Sequence, residues 1–180
     1  MNNSAASVSE IVNPRRAAHD YFVLEPGGGE RLRFLGESTM RLKLANGASS
    51  AVAFYEYVSE PGVKGPPQHV HHGHDETFYV VDGIYEFTID RDRTLLARGA
   101  FLSVPTGTPH TFCNVGDDLG CIVGTFNPGR FANYFRELAE IITDTGTVPD
   151  HQTWVDLYQR YDTTFYEQSR TEPPPYAARR

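Results

Sequence analysis

The sequence predicts an all-β fold, a sandwich or barrel, followed by C-terminal helices. Three observations predict it. Short apolar or alternating runs recur between about residues 40 and 126. Turn signals built from Gly, Asp, Asn and Pro separate them. After Asn127-Pro128-Gly129 the apolar spacing changes to that of a helix.

Taken in order, Tyr21 to Leu24 is a short apolar run ended by Pro26-Gly27-Gly28-Gly29. Met40 to Leu44 alternates and meets Asn46-Gly47, a hairpin signal. Ala51 to Val58 is aromatic and β-branched, as strands favour. Thr77 to Val81 runs into Asp82-Gly83, a second hairpin signal, and Ile84 to Ile89 continues it. Leu95-Leu96, Phe101 to Val104, Thr111 to Val115 and Cys121 to Phe126 complete the strands, with a hairpin turn expected at Gly116 to Gly120. Beyond residue 129, Phe131, Tyr134, Phe135, Leu138 and Ile142 share one helix face. A second helix is expected over Gln152 to Tyr161, with Trp154, Leu157, Tyr158 and Tyr161 as its stripe. These stripes read as packing against the barrel or a partner subunit.

The chain has 180 residues, which suits one domain of roughly 100–200 residues. The expected division is a flexible segment over 1–18, a barrel over 19–128, a helical extension over 129–165 and an extended tail over 166–180, where Pro173-Pro174-Pro175 disfavours a helix. Net charge is −7, and the basic pairs Arg15-Arg16 and Arg179-Arg180 lie near the termini. Nucleic acid is therefore not an expected partner, because phosphate binding needs a clustered basic face. No apolar run approaches the ~20 residues of a membrane span. The polar first twenty residues lack the apolar core of a signal peptide, so a soluble cytoplasmic protein is expected. Cys113 and Cys121 have no Cys-x-x-Cys spacing and read as two free, buried, inert thiols.

Two blocks carry chemistry. The first is Gly65-Pro-Pro-Gln-His69-Val-His71-His72-Gly-His74-Asp-Glu76. On a strand, His69 and His71 share a face and can chelate one ion. Glu76 starts the next strand, close enough to return to the same site. The second block, Gly99 to Asn114, brings His110 in after the tight turn Pro105-Thr-Gly107-Thr-Pro109. Three imidazoles and a carboxylate suit one divalent Fe, Mn, Co, Ni, Cu or Zn ion better than Ca or Mg. His72 is out of phase and is expected to face away. His74 lies in the loop, either as an ordinary loop residue, as an alternate ligand or as a group behind the ligands.

These blocks resemble the two motifs of the cupin family, G(X)5HXH(X)3,4E(X)6G and G(X)5PXG(X)2H(X)3N. The first is met by His69, His71, Glu76 and Gly83. Its leading glycine is missing, since position 63 is Val, with Gly62 and Gly65 nearby. The second is met throughout by Gly99, Pro105, Gly107, His110 and Asn114. The resemblance covers about residues 30–128. It implies a double-stranded β-helix, or jelly-roll, barrel with C-terminal α-helices, His69, His71, Glu76 and His110 as metal ligands, and a homodimer. The helix after Asn127-Pro128-Gly129 is similar to that of single-domain bacterial cupins of the quercetin dioxygenase-like kind.

An open metal position would bind a substrate oxygen and favour loss of its proton, with Glu76 as a candidate general base. The interior is expected to be aromatic. Phe78 shares the face of Glu76, Phe112 that of His110, and Phe87 follows with Tyr85. The run Ala51 to Val58 contributes either Tyr55 and Tyr57 or Phe54 and Glu56. Such a lining favours a flat aromatic ligand, a flavonol, phenolic or polyketide, over a sugar phosphate. The leading functional expectation is a dioxygenase of such compounds. A non-oxidative isomerase, cyclase, dehydratase or decarboxylase and a non-catalytic binding module are the alternatives.

Overall fold

In the computed structural model, which describes residues 22–34, 38–44 and 51–166, the period-2 runs become two facing antiparallel sheets. The strands run β1 (Glu30–Arg33), β2 (Thr39–Leu44), β3 (Ala53–Ser59), β4 (His69–His71), β5 (Asp75–Asp82) and β6 (Ile84–Ile89). They continue with β7 (Asp92–Ala97), β8 (Phe101–Val104), β9 (His110–Asn114), β10 (Gly120–Asn127) and, past the helices, β11 (Thr163–Phe165). The larger sheet has the order β1-β2-β3-β10-β5-β8, and the smaller β11-β4-β9-β6-β7. This is the jelly-roll arrangement of a cupin.

Alternation decides which side chains enter the barrel. On β3, Ala53, Tyr55, Tyr57 and Ser59 are buried while Phe54 is exposed, which settles the face that the sequence left open. On β5, Glu76, Phe78 and Val80 point inward and Tyr79 outward. Tyr55 can lie flat across the sheet because its register partner on β10 is Gly124. A Cβ at Gly124 would run into the Tyr55 ring.

Two expected hairpins are absent. Asp82-Gly83 joins β5 to β6, and Val115 to Leu119 joins β9 to β10, yet the strands of each pair lie in different sheets. The edges of β5 are already taken by β10 and β8, and those of β6 by β9 and β7. Each connection therefore crosses the barrel end instead of folding back. Gly83 makes its crossing with φ +87°, and a Cβ there would sit 2.9 Å from the Gly120 Cα. β2 and β3 do pair, but the Asn46-Gly47 turn between them lies outside the described residues, as do the segment 1–18 and Pro173 to Pro175. Tyr21 is also outside, and the rest of its run makes only a single bridge at Val23. β1 and β11 carry no alternation that the sequence reading singled out.

A 3-10 turn (Gly129–Ala132) leads into α1 (Asn133–Thr145), and α2 (His151–Arg160) follows. Gly146, at φ 69°, ends α1 by donating its N–H to the Ile142 carbonyl. The Asp150 carboxylate accepts the Thr153 N–H at 2.8 Å and starts α2. Leu138, Ile142 and Leu157 bury the contact between the helices. Arg160 and Tyr161 close on Glu137, and Arg136 ties α1 to Glu30 at the edge of the larger sheet. The helices close the barrel mouth. The two cysteines are free and half-buried, not fully buried as expected; burial pushes the Cys121 thiol up to about 11.

Gly124→Ala is expected to destabilise the fold by about 1–3 kcal/mol, the usual cost of overpacking, because the Tyr55 ring must move. Urea unfolding monitored by circular dichroism measures it, and an unchanged midpoint would contradict the packing described.

Candidate metal centre

The smaller sheet supplies three imidazoles and the larger one a carboxylate. His69 and His71 stand two apart on β4, and His69 is the register partner of His110 on β9. Glu76 faces them from β5 across the barrel. All four residues are buried, and their ligand atoms lie within 4.8 Å of one another.

The tautomer of each ring follows from its outer nitrogen. His69 Nδ1 sits 2.9 Å from the Pro67 carbonyl and His110 Nδ1 3.0 Å from the Thr108 carbonyl. A carbonyl only accepts, so both Nδ1 atoms carry the hydrogen. His71 Nδ1 is 3.0 Å from Thr163 Oγ1, whose own hydroxyl donates to the Tyr161 carbonyl, so here too the ring donates. Every Nε2 of the neutral rings therefore turns a lone pair inward. His69 Nε2 is 3.1 Å from His71 Nε2, and Glu76 Oε2 lies 3.2 Å from His71 Nε2 and 3.1 Å from His110 Nε2. Lone pairs so close repel unless a cation is shared among them. A single proton relieves one pair; an ion at the centre serves all four.

Electrostatics favour the ligating forms. Burial, with the neighbouring rings, pushes His69 well below the usual histidine range, and burial lowers His71 against the pull of Glu76. For Glu76, burial acts to raise the carboxyl, but the hydrogen bond and positive charge that His110 and His71 supply whenever a proton occupies the cluster outweigh it and hold it ionised. Tyr55 donates its hydroxyl hydrogen to Glu76 Oε1 at 2.6 Å, which fixes the carboxylate so that Oε2 faces the rings. Burial and the Glu76 charge raise the Tyr55 phenol, so it stays a donor. Nitrogen and carboxylate donors of this kind fit a late divalent transition metal.

The turn before His110 is anchored from both sides. Gly107, at φ +86°, donates its N–H to the His71 carbonyl at 2.8 Å. Asp75 accepts two hydrogen bonds from Thr106. Asn114 donates to the Ser59 and Asp118 carbonyls and accepts from Gly116 N–H, pinning the crossing from β9 to β10.

A cavity of about 200 Å³ opens beside the cluster. Tyr55, Tyr57, Phe78 and Phe112 line it. Phe87 does not: it is fully buried behind them, its ring 4.9 Å from Phe78 and 5.6 Å from Phe112. The reason is strand order, since β6 lies one strand beyond β9 from β4. Tyr85 is also packed away, bonded to Ser59. Among the described residues, Lys64, itself exposed, is the one Lys or Arg on the lining.

His72 faces out and pairs with Thr164. His74 is buried, stacked between His71 (3.8 Å) and Phe131 (4.0 Å), with both ring nitrogens unpartnered. Burial drops its pKa to about 3. The sequence reading missed the lining from α1 and α2, which adds Tyr134, Leu138, Trp154 and Tyr158. It also missed Thr163. The aromatic stripes were visible, but nothing in their spacing placed them over the barrel mouth.

Residues 55–123 match the family described as Cupin domain. Over 93 residues the chain is 40% identical to the Quercetin 2,3-dioxygenase of Bacillus subtilis, a stretch that covers 51% of this chain and 27% of that protein. Over 57 residues it is 37% identical to an uncharacterized protein of Streptomyces coelicolor, covering 32% of this chain and 53% of that one. The matches thus span about half or less of these curated relatives. Among solved structures, one described as a predicted oxalate decarboxylase from Thermotoga maritima superposes with a TM-score of 0.52 at 20% identity, over 59% of this chain and 98% of its own. A sugar phosphate isomerase of the cupin superfamily from Silicibacter pomeroyi gives 0.51 at 20% identity, over 58% and 74%. These two likenesses speak for the fold alone. The matched domain, the barrel and the buried cluster thus agree in a cupin fold.

His110→Ala is expected to lower bound metal sharply, as read by elemental analysis of the purified protein; normal stoichiometry would contradict the ligand set. The metal-free protein is expected to lose stability as pH falls below about 6.5. The unfolded chain takes up protons on His69, His71 and His74 there, while the folded state, with their pKa values lowered, resists them. A histidine that stays neutral in the fold, as His74 does with its pKa near 3, costs about 1.4 kcal/mol at one unit below its unfolded value. Melting temperatures at pH 7.5 and 5.5 test this, and the drop is expected to be on the order of 10 °C.

Proposed function

We propose that the protein is a metal-dependent oxygenase acting on a small, flat, hydroxylated aromatic compound such as a flavonol, another phenolic or a polyketide. One observation carries the reading: a ring of three inward lone pairs and one carboxylate opens into an aromatic cavity whose rim alone offers a cation. The 40% identity to a quercetin dioxygenase segment supports the same chemistry. Such a cavity suits a planar apolar body better than a phosphorylated sugar.

His69, His71, Glu76 and His110 would hold the ion. A bound Fe, Mn, Co, Ni, Cu or Zn would stabilise the anion left when a substrate hydroxyl ionises. The chain supplies the rest. Tyr55, Tyr57, Phe78 and Phe112 clasp the ring system and exclude water. Glu76 takes the hydroxyl proton; its second oxygen stays bonded to Tyr55, so the carboxylate is oriented while it accepts. The outward Nδ1 bonds of the three histidines keep the ligating tautomer in place. Dioxygen is the co-reactant. A homodimer and a cytoplasmic setting belong to the same proposal, with sedimentation as the check on the former.

Protein reconstituted with Fe, Mn, Co, Ni or Cu in turn is expected to consume oxygen when given quercetin or a related phenolic, and the zinc-loaded protein is not. Turnover that persists in the absence of oxygen would overturn the oxygenase reading. Glu76→Gln is expected to keep the fold and to lower turnover by about 100-fold or more, the scale of a lost general base, and more steeply than it lowers metal content. Equal losses of both would leave Glu76 a ligand role only.

A further inference from the structure

The helical extension places two phenols over the metal centre that the proposed chemistry has not used. Tyr134 on α1 and Tyr158 on α2 both line the cavity. Tyr158 is 2% exposed, and its ring stands 5.6 Å from that of His69. The two phenol rings are 5.9 Å apart. Both hydroxyl oxygens are sealed from solvent, and beyond a weak mutual contact neither has a hydrogen-bond partner among the described residues. Burial raises both phenols, and the Glu76 charge adds to it, so both remain donors.

A buried hydroxyl hydrogen without an acceptor costs roughly 1–3 kcal/mol, and even a mutual contact uses only one of the pair's two hydrogens. Phenylalanine would fill the same space without the cost. The framework also holds them still. Trp154 packs on both rings, and Tyr161, bonded to Glu137, packs on Tyr134. The arrangement is that of a preformed donor pair awaiting an acceptor.

We propose that Tyr134 and Tyr158 donate to a ligand oxygen adjacent to the one that enters the His/Glu cluster. The ligand class is thereby narrowed to flat aromatics with two neighbouring oxygens, a catechol or an aromatic hydroxy-ketone. This rests on the reading of the cavity as an aromatic-substrate site. It adds that the C-terminal helices, not the barrel, select for the second oxygen.

The test is anaerobic calorimetric titration of the full-length zinc-loaded protein with 2,3-dihydroxynaphthalene and with 2-naphthol, which differ by one oxygen. The unaltered protein is expected to prefer the diol by about 10-fold. Tyr134→Phe and Tyr158→Phe are each expected to cut that preference by about 3- to 10-fold, the worth of one hydrogen bond, and the double variant to bind both compounds alike. Zinc content is expected to stay near that of the unaltered protein, because neither phenol is a ligand, and the melting temperature to hold or rise, because a poorly satisfied buried hydroxyl is removed. A preference that survives in the variants, a parallel loss of both compounds, or no preference at the outset overturns the proposal. Oxygen uptake separates it from the oxygenase reading. Phenol-dependent preference without any uptake sinks only the oxygenase, whereas uptake with phenol-independent binding sinks only this inference.

Discussion

Three imidazoles that spend their only hydrogen outward are the constraint on which the centre depends. Each Nδ1 is bonded to a carbonyl or to a hydroxyl already committed elsewhere, so each Nε2 is left with a lone pair pointing at the others. Burial then disfavours the protonated rings, and Glu76 supplies the negative charge that a cation balances. The donors are held close against their mutual repulsion by the sheets that carry them. That is preorganisation: the barrel does the work of gathering ligands before any ion arrives.

The carboxylate is set with the same economy. Tyr55 reaches Glu76 from the neighbouring region of the larger sheet, and it can do so because Gly124 leaves room beneath its ring. One small residue on β10 thus bears on the orientation of an acid on β5. The chain of dependence runs from the absence of a Cβ, to ring position, to a 2.6 Å hydrogen bond, to the oxygen that faces the histidines.

The C-terminal extension belongs to the site and is not an appendage. β11 pairs with β4, and its Thr163 holds the outer nitrogen of His71. The helices between cover the barrel mouth and complete the cavity wall. A segment more than ninety residues away from His71 in the chain therefore sets both the tautomer of one ligand and the boundary of the space a substrate enters.

The sequence by itself determined the local content. Period-2 spacing put His69 with His71 and Glu76 with Phe78, the tight turn brought His110 to the head of its strand, and the helical stripe marked α1 and α2. Such features depend on neighbours a few positions apart. What the tertiary structure alone decided was pairing and facing. It turned Tyr55 and Tyr57 inward instead of Phe54, sent β5 and β6 to opposite sheets despite Asp82-Gly83, moved Phe87 behind the cavity wall and tucked His74 against His71. The physical reason is that a strand's own alternation names two faces without ranking them, and a turn signal bends the chain without saying which edge is free. Only the closed barrel, with every interior edge and face competing for partners, resolves both.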